Sequence, residues 1–310
     1  LSVGVRNTHS KYKDRYIPDN LDPALLNWLD QSIGDTAIPE VGFIWRGSLK
    51  GGEGNLRSIQ LYLSTVDGEL KFQPDWPALE NLDSVITLDN SELDAKILAA
   101  TLGKSKVKRA DVLVRSGAKS KSQNLLIQGK VQSDLGDAID ILSKSPLQSR
   151  VKGLDGWDLS GRSGINLDLI IPLKGNTGGG SYKVDTTIDK GLMSLPKTDI
   201  AFEQLQGVFK YRDGRGLYSD KIKGNFWGKP VEASLETQKD DLLIDVTGDF
   251  SMPALGRFIN LPSDQVLLGT TDVQANVRVP MEDASLPIRL KINSQLKGAE
   301  INLPAPFGKE

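Results

Sequence analysis

His9 is the sole histidine of the 310-residue chain, and cysteine is absent. A Ser-His-Asp relay would have to run through His9, and thiolate chemistry is excluded. His9 sits in a polar N-terminal segment, where an incidental surface histidine is the simpler reading. A metal would need carboxylates alone. The candidates are Asp240-Asp241, the Asp89/Glu92/Asp94 group and Glu282-Asp283. None has calcium-loop spacing, and each adjoins a turn between strands, so they read as solvated turns. Gly103-Lys104-Ser105 has the end of a phosphate loop, but Leu98 stands where the loop needs its earlier glycine. Gly178-Gly179-Gly180 lacks a following Lys-Ser/Thr and reads as a hairpin. Lys104, Lys106, Lys108, Arg109, Arg115, Lys119 and Lys121 form a basic patch. The solvated face of a hairpin is the first reading of it, and an anionic-headgroup or partner site the second. Trp28, Trp45, Trp76, Trp157 and Trp227 are dispersed, as packing anchors are. No catalytic residue, metal or cofactor is expected.

The elements that carry these residues follow from composition and periodicity. Lys and Arg number 38 against 40 Asp and Glu, which argues against a generic nucleic-acid binder. No apolar run reaches the roughly 18 residues of a membrane-spanning helix. The chain begins at Leu1 without a signal peptide and ends soon after a strand pattern restarts, so it is expected to be a piece of a longer protein. Its 31 glycines are scattered at turn spacing, which suits many short strands joined by hairpins.

The clearest strand is Gly164-Ile-Asn-Leu-Asp-Leu-Ile-Ile-Pro-Leu173. Ile165, Leu167, Leu169, Ile171 and Leu173 share one parity, Asn166 and Asp168 the other, so one face is apolar. The pattern returns 108 residues later in Asp272–Met281, with Pro280 in the place of Pro172. The offset holds without gaps to Pro196 and Pro304. Upstream, helices and strands match at an offset of 117. An ordered series of this kind signals an internal repeat.

In chain order, Asn20 and Pro23 start a helix carrying Leu25, Trp28, Leu29 and Ile33. Strands are expected at 42–49 and 56–65, with Asp67-Gly68 as a hairpin turn in Val66–Pro74. Further strands follow around 85–88, 93–99, 107–115 and 124–133, then an amphipathic helix over 134–142. The second unit opens at Ile188–Pro196 and repeats this order, with Ser251–Ile259 in the helix slot; a third begins at Leu296–Pro304. The expected division is 1–65 as the tail of a preceding repeat, 66–187 and 188–295 as repeats, and 296–310 as the start of another. The tail aligns Ile59, Leu61 and Leu63 with Leu167, Leu169 and Ile171.

The expected fold is mainly β: an elongated, repeated β-groove, a curled and mostly antiparallel sheet of about sixteen strands with a few short helices. The expected lining is Ile59, Leu61 and Leu63; Ile165, Leu167, Leu169 and Ile171; Val231, Ala233 and Leu235; Leu242, Ile244 and Val246; Val273, Val277 and Val279; and Ile288, Leu290 and Ile292. Residue patterning alone leaves two outcomes open for them. They form closed sandwich cores, or they line a trough whose apolar face is satisfied by an apolar ligand.

Tyr16-Ile-Pro18, Trp28-Leu29-Asp30, Ile44-Trp-Arg-Gly-Ser-Leu49 and the Leu-Pro-x-Pro-x-Gly-Lys ending of Leu296–Lys309 resemble the YhdP family of AsmA-like envelope proteins. The resemblance covers essentially the whole chain, and its two end motifs are the specific part. It implies a periplasmic segment of an inner-membrane-anchored protein of a Gram-negative bacterium. It implies a bridge-like transporter that shields phospholipid acyl chains on the way to the outer membrane, with the anchor and the outer-membrane end supplied by the rest of the protein or by other envelope proteins. It implies phospholipid as partner and offers no catalytic residues. The rival function is a structural β-repeat module of the envelope with closed cores and partner-binding edges.

Overall fold

A computed structural model describes residues 1–15, 23–47, 58–116, 123–145, 148–173, 179–195, 200–258, 266–281, 286–303 and 308. Several expectations lie outside these residues: the Asn20 cap, Tyr16-Ile-Pro18, Lys119, Lys121, Gly178, Glu282-Asp283, and Pro196 and Pro304. The strands are β1 (Ser2–His9), β2 (Ala37–Arg46), β3 (Ser58–Leu70), β4 (Leu79–Asp89), β5 (Glu92–Leu102), β6 (Ser105–Ser116), β7 (Gln123–Asp134) and β8 (Asp158–Pro172). They continue with β9 (Ser181–Ser194), β10 (Ala201–Arg212), β11 (Gly216–Phe226), β12 (Lys229–Gln238), β13 (Asp241–Ser251), β14 (Leu267–Pro280), β15 (Arg289–Asn293) and β16 (Ala299–Ile301). The helices are short: α1 (Pro23–Ser32), α2 (Leu135–Ser143), α3 (Gln148–Val151) and α4 (Met252–Phe258).

The strands β1 to β15 pair in strict chain order, with β16 on β14, in one antiparallel sheet that is not closed into a barrel. This is the mainly β, open-sheet class expected from the sequence. Chain-order pairing follows from tight turns at positive φ, which match the right-handed strand twist. Asn90, Gly103, Lys239 and the Trp227-Gly228 pair supply them. A helix interrupts the run of strands after β1, β7 and β13.

By contact the chain forms two compact units. Unit 1 comprises Leu1–Ser133, Lys144–Pro146 and Ile165–Val184; unit 2 comprises Asp134–Ser143, Leu147–Gly164 and Asp185–Glu310. The buried core of unit 1 gathers Leu79, Leu82, Ala100, Val107 and Ala110. In unit 2 an aromatic group closes one end of the strands. Phe226 stacks on Phe202 at 4.7 Å and touches Trp227 at 4.3 Å and Phe250 at 5.4 Å, and Phe258 of α4 meets Trp227 at 5.6 Å. Val231, Val246, Val273 and Ala275 pack beneath it.

The junctions around the helices are held by short polar side chains. Asp134, the last residue of β7, accepts the Gly136 amide at 3.0 Å on one oxygen and the Gly161 amide at 2.8 Å on the other. It thus caps α2 and clips the start of β8. Ser10, just after β1, accepts the Thr36 amide at 3.0 Å and donates to the Gly34 carbonyl at 2.8 Å.

One expected turn is not a turn. Asp67 and Gly68 lie inside β3, where the register against β4 shifts between Thr65 and Gly68. An Asp-Gly pair serves a bulge as readily as a hairpin, because both need positive φ. Asp67 sits at φ 49°, its amide donates to Asp83 Oδ1 at 3.0 Å, and a Cβ on Gly68 would meet Thr36 at 2.8 Å. Lys190 in β9 and Gly298 before β16 have the same left-handed backbone, and Gly191 and Ala299 after them are buried.

Candidate functional site

The register turns local alternation into continuous rows. In unit 1, Val3, Phe43, Leu61, Leu88, Leu93, Val114 and Leu125 stand opposite one another from β1 to β7. A second row runs Val5, Val41, Leu63, Ile86, Ala95, Val112 and Ile127. Six steps at about 4.8 Å carry each row about 29 Å across the strands. Of these residues only Ala95 is buried; the others stay partly or largely exposed. Contiguous apolar surface is the feature by which an interaction or ligand surface is recognised, so these rows are the candidate site.

Ile59, Leu61 and Leu63 lie on this face, half-buried, with Ile59 opposite Trp45. Ile165, Leu167, Leu169 and Ile171 fall in β8 and are half-buried. The Leu173 amide donates to the Gln123 carbonyl at 2.9 Å, so this series continues from Leu125 and Ile127 on β7. Val41, Phe43, Ile86, Leu88, Leu93, Val112, Val114, Leu125 and Ile127 belong to the same face and were not singled out from the sequence. Their alternation is visible there, but which parity joins which across strands needs the register.

Unit 2 carries the equivalent rows. Gly207, Ile222, Ala233, Val246, Ala275 and Ile292 form one, and Ser219, Leu235, Ile244, Val277 and Leu290 another. Here the face is more tightly packed: Val231, Leu235, Leu242, Val246 and Val273 are buried, while Ala233, Ile244, Val277 and Val279 are half-buried. Leu205, Ile222, Leu235 and Leu242, from four neighbouring strands, bury one another without a helix among them. At β15 the face opens again, with Ile288 50%, Leu290 49% and Ile292 38% exposed.

The opposite face is charged, and part of that charge is paired. Arg115 meets Asp94 at 3.4 Å, Arg162 meets Asp189 at 2.6 Å, and Lys221 meets Glu232 at 2.9 Å. The hydrogen bond from Lys221 holds the Glu232 carboxyl below its ordinary value. Arg278 Nε donates to Asp241 at 2.7 Å. Polar-out, apolar-in alternation is thus the rule in both units.

The residues that could do chemistry are not brought together. His9 ends β1 with its Nε2 3.4 Å from Asp35 Oδ1, and its Nδ1 accepts the Lys11 amide at 3.4 Å. Among the described residues no three His, Asp or Glu side chains could hold a metal. Asp240 and Asp241 sit at the β12–β13 turn, and Asp89, Glu92 and Asp94 flank the β4–β5 turn. Gly103-Lys104-Ser105 makes the β5–β6 turn. Among the described residues no helix is long and apolar enough to cross a membrane.

With this one-sided sheet described, the comparison with known proteins is decisive at the level of family. The family model described as YhdP protein matches residues 1–310. The chain belongs to the YhdP family. A curated relative, the intermembrane phospholipid transporter YhdP of Escherichia coli (strain K12), is 23% identical over 323 aligned residues. That match takes in all of this chain and 25% of the relative, so the chain spans about a quarter of the relative's length. No solved structure matches the chain. The YhdP resemblance seen in the end motifs therefore holds across the whole sequence.

Proposed function

We propose that this chain is a periplasmic segment of a bridge-like phospholipid transporter, and that its apolar sheet face shields acyl chains between inner and outer membrane. The single observation that carries this reading is the pair of apolar rows across β1–β7, left partly exposed by the protein itself. Each methylene taken from water is worth about 0.8 kcal/mol, so an acyl chain of about sixteen carbons would cost on the order of 13 kcal/mol to move bare. A continuous apolar lining removes most of that barrier. Leu, Ile, Val and Ala are interchangeable contacts, so no point along the rows holds a chain tightly enough to stall it. The charged headgroup stays in water.

The proposed lining in unit 1 is Ile59, Leu61, Leu63, Ile165, Leu167, Leu169 and Ile171, with the neighbouring rows. In unit 2 the half-buried Ala233, Ile244, Val277 and Val279 supply the contact. Buried Val231, Leu235, Leu242, Val246 and Val273 alternate with them on the same face, and Ile288, Leu290 and Ile292 extend it at β15. Six strands and one helix make the repeat in this reading; helices after β1, β7 and β13 and the left-handed residues Asp67, Lys190 and Gly298 support it. The anchor and the outer-membrane end belong to the rest of the transporter.

The test is mass spectrometry of organic extracts of the purified chain. Co-purifying phospholipid is expected, and its loss in Leu61→Asp with the fold retained. Absence of lipid from the wild type, together with unfolding of Leu61→Asp, would instead identify these rows as a closed core.

A further inference from the structure

The face opposite the apolar rows carries a second surface in unit 1. Between β5 and β6, Ile97 stands opposite Ala110 and Ala100 opposite Val107. Two residues therefore separate successive inward positions on each strand: Leu98 and Ala99 on β5, Lys108 and Arg109 on β6. Ala100, Val107 and Ala110 are buried, whereas Leu98, Ala99, Lys108 and Arg109 are all exposed. An extra residue in a strand turns consecutive side chains to one face. Here two neighbouring strands do so in step, and the register shift of β6 against β7 falls at the same place, between Val107 and Arg109.

The result is a basic patch with an apolar tip. Leu98 is 57% exposed. Around it stand Lys96, Lys108 and Arg109, and Lys130 lies directly opposite Arg109. Like charges directly opposite destabilise a strand pair. Arg109 reaches Asp111 at 3.4 Å, while Lys96, Lys108 and Lys130 have no ion-pair partner among the described residues. The nearby Asp83, opposite Ala99, accepts the Asp67 amide. Asp111, which also faces Lys96 across β5 and β6, and Asp83 are thus outnumbered by the four cations Lys96, Lys108, Arg109 and Lys130.

We propose that this patch docks the chain onto an anionic lipid bilayer, with Lys96, Lys108, Arg109 and Lys130 over lipid phosphates and Leu98 entering the interface. Charge complementarity selects the anion. The composition selects a bilayer over an acidic protein: protein interfaces deplete lysine and enrich aromatics, and this patch has three lysines and no aromatic. Lysine stems lie along an apolar surface while their ammonium groups reach phosphate. The patch faces away from the proposed lipid lining, so it stands independently of that reading.

The test is co-sedimentation of the purified chain with phosphatidylcholine vesicles, with and without phosphatidylglycerol, at low and high salt. Binding only to the anionic vesicles, lost at high salt, is expected. Lys108→Gln/Lys130→Gln removes two cations and should weaken binding about thirtyfold. Leu98→Ser should weaken it at unchanged charge. These positions are exposed, so an unchanged melting temperature certifies the fold. Equal binding to neutral vesicles, variants that bind like wild type, or binding to soluble polyglutamate without vesicle binding would each overturn the proposal. The double variant keeps its co-purifying phospholipid if the lining reading holds, so the two readings fail separately.

Discussion

Leu61 of β3 and Leu88 of β4 stand directly opposite each other near the middle of a seven-strand apolar row, and both remain partly exposed. Two facing leucines in central strands would ordinarily be sealed by a second layer. Here their row continues strand by strand, through Leu93 and Val114 to Leu125, without joining the buried core of unit 1.

Leu61→Asp should therefore cost little stability, about 1–2 kcal/mol, because a partly exposed side chain loses only part of its burial. The same substitution should cut co-purifying phospholipid about tenfold or more. Gln60→Asp, one residue away on the polar face, should leave the lipid unchanged. Lipid mass spectrometry and thermal melts of the three proteins check this.

Gly161 is required by its backbone. It has φ 122°, and a Cβ there would meet the Gly191 Cα at 2.6 Å. Gly161→Ala should destabilise by about 3 kcal/mol, combining strain with a backbone clash. At Gly164, three residues on, an added methyl would meet nothing within 4 Å, so Gly164→Ala should be close to neutral. Denaturant unfolding of both variants separates the two cases.

Phe226 is the centre of the aromatic group in unit 2, within 5.4 Å of Phe202, Trp227 and Phe250. Phe226→Ala should cost about 3–5 kcal/mol, and Phe226→Leu about 1–2 kcal/mol, because the second keeps most of the volume. Tryptophan fluorescence should report the first through Trp227.

Acid should act on Glu232 in one direction. Its carboxyl is held below the ordinary value by the hydrogen bond from Lys221. A depressed folded value gives stability that is present above the unfolded value and is lost as pH falls through the folded one. The pair is exposed, so the effect on stability is small. Lys221→Met should raise the Glu232 midpoint, read by NMR titration of the side-chain carboxyl.

The sequence by itself determined the class of fold. Period-two alternation at Ile165–Leu173 or Val273–Val279 forces a strand with one apolar face, since adjacent side chains point to opposite sides. Glycines scattered at turn spacing favour frequent tight reversals, hence antiparallel neighbours. The helix after β7 was legible from its amphipathic spacing, and the one after β13 from its place in the repeat. Only the tertiary structure decided register. Asp67-Gly68 reads as a turn because turns and bulges make the same demand for positive φ, and only pairing with β4 and contact with Thr36 distinguish them. Likewise Leu98 and Lys108 look like ordinary alternating residues until their neighbours fix which face is inward. The same limit holds for the lining. Leu61 and Leu235 have the same parity and the same chemistry, yet one is partly exposed and the other buried. Alternation fixes which way a side chain points, whereas burial depends on what the neighbouring strands bring against it.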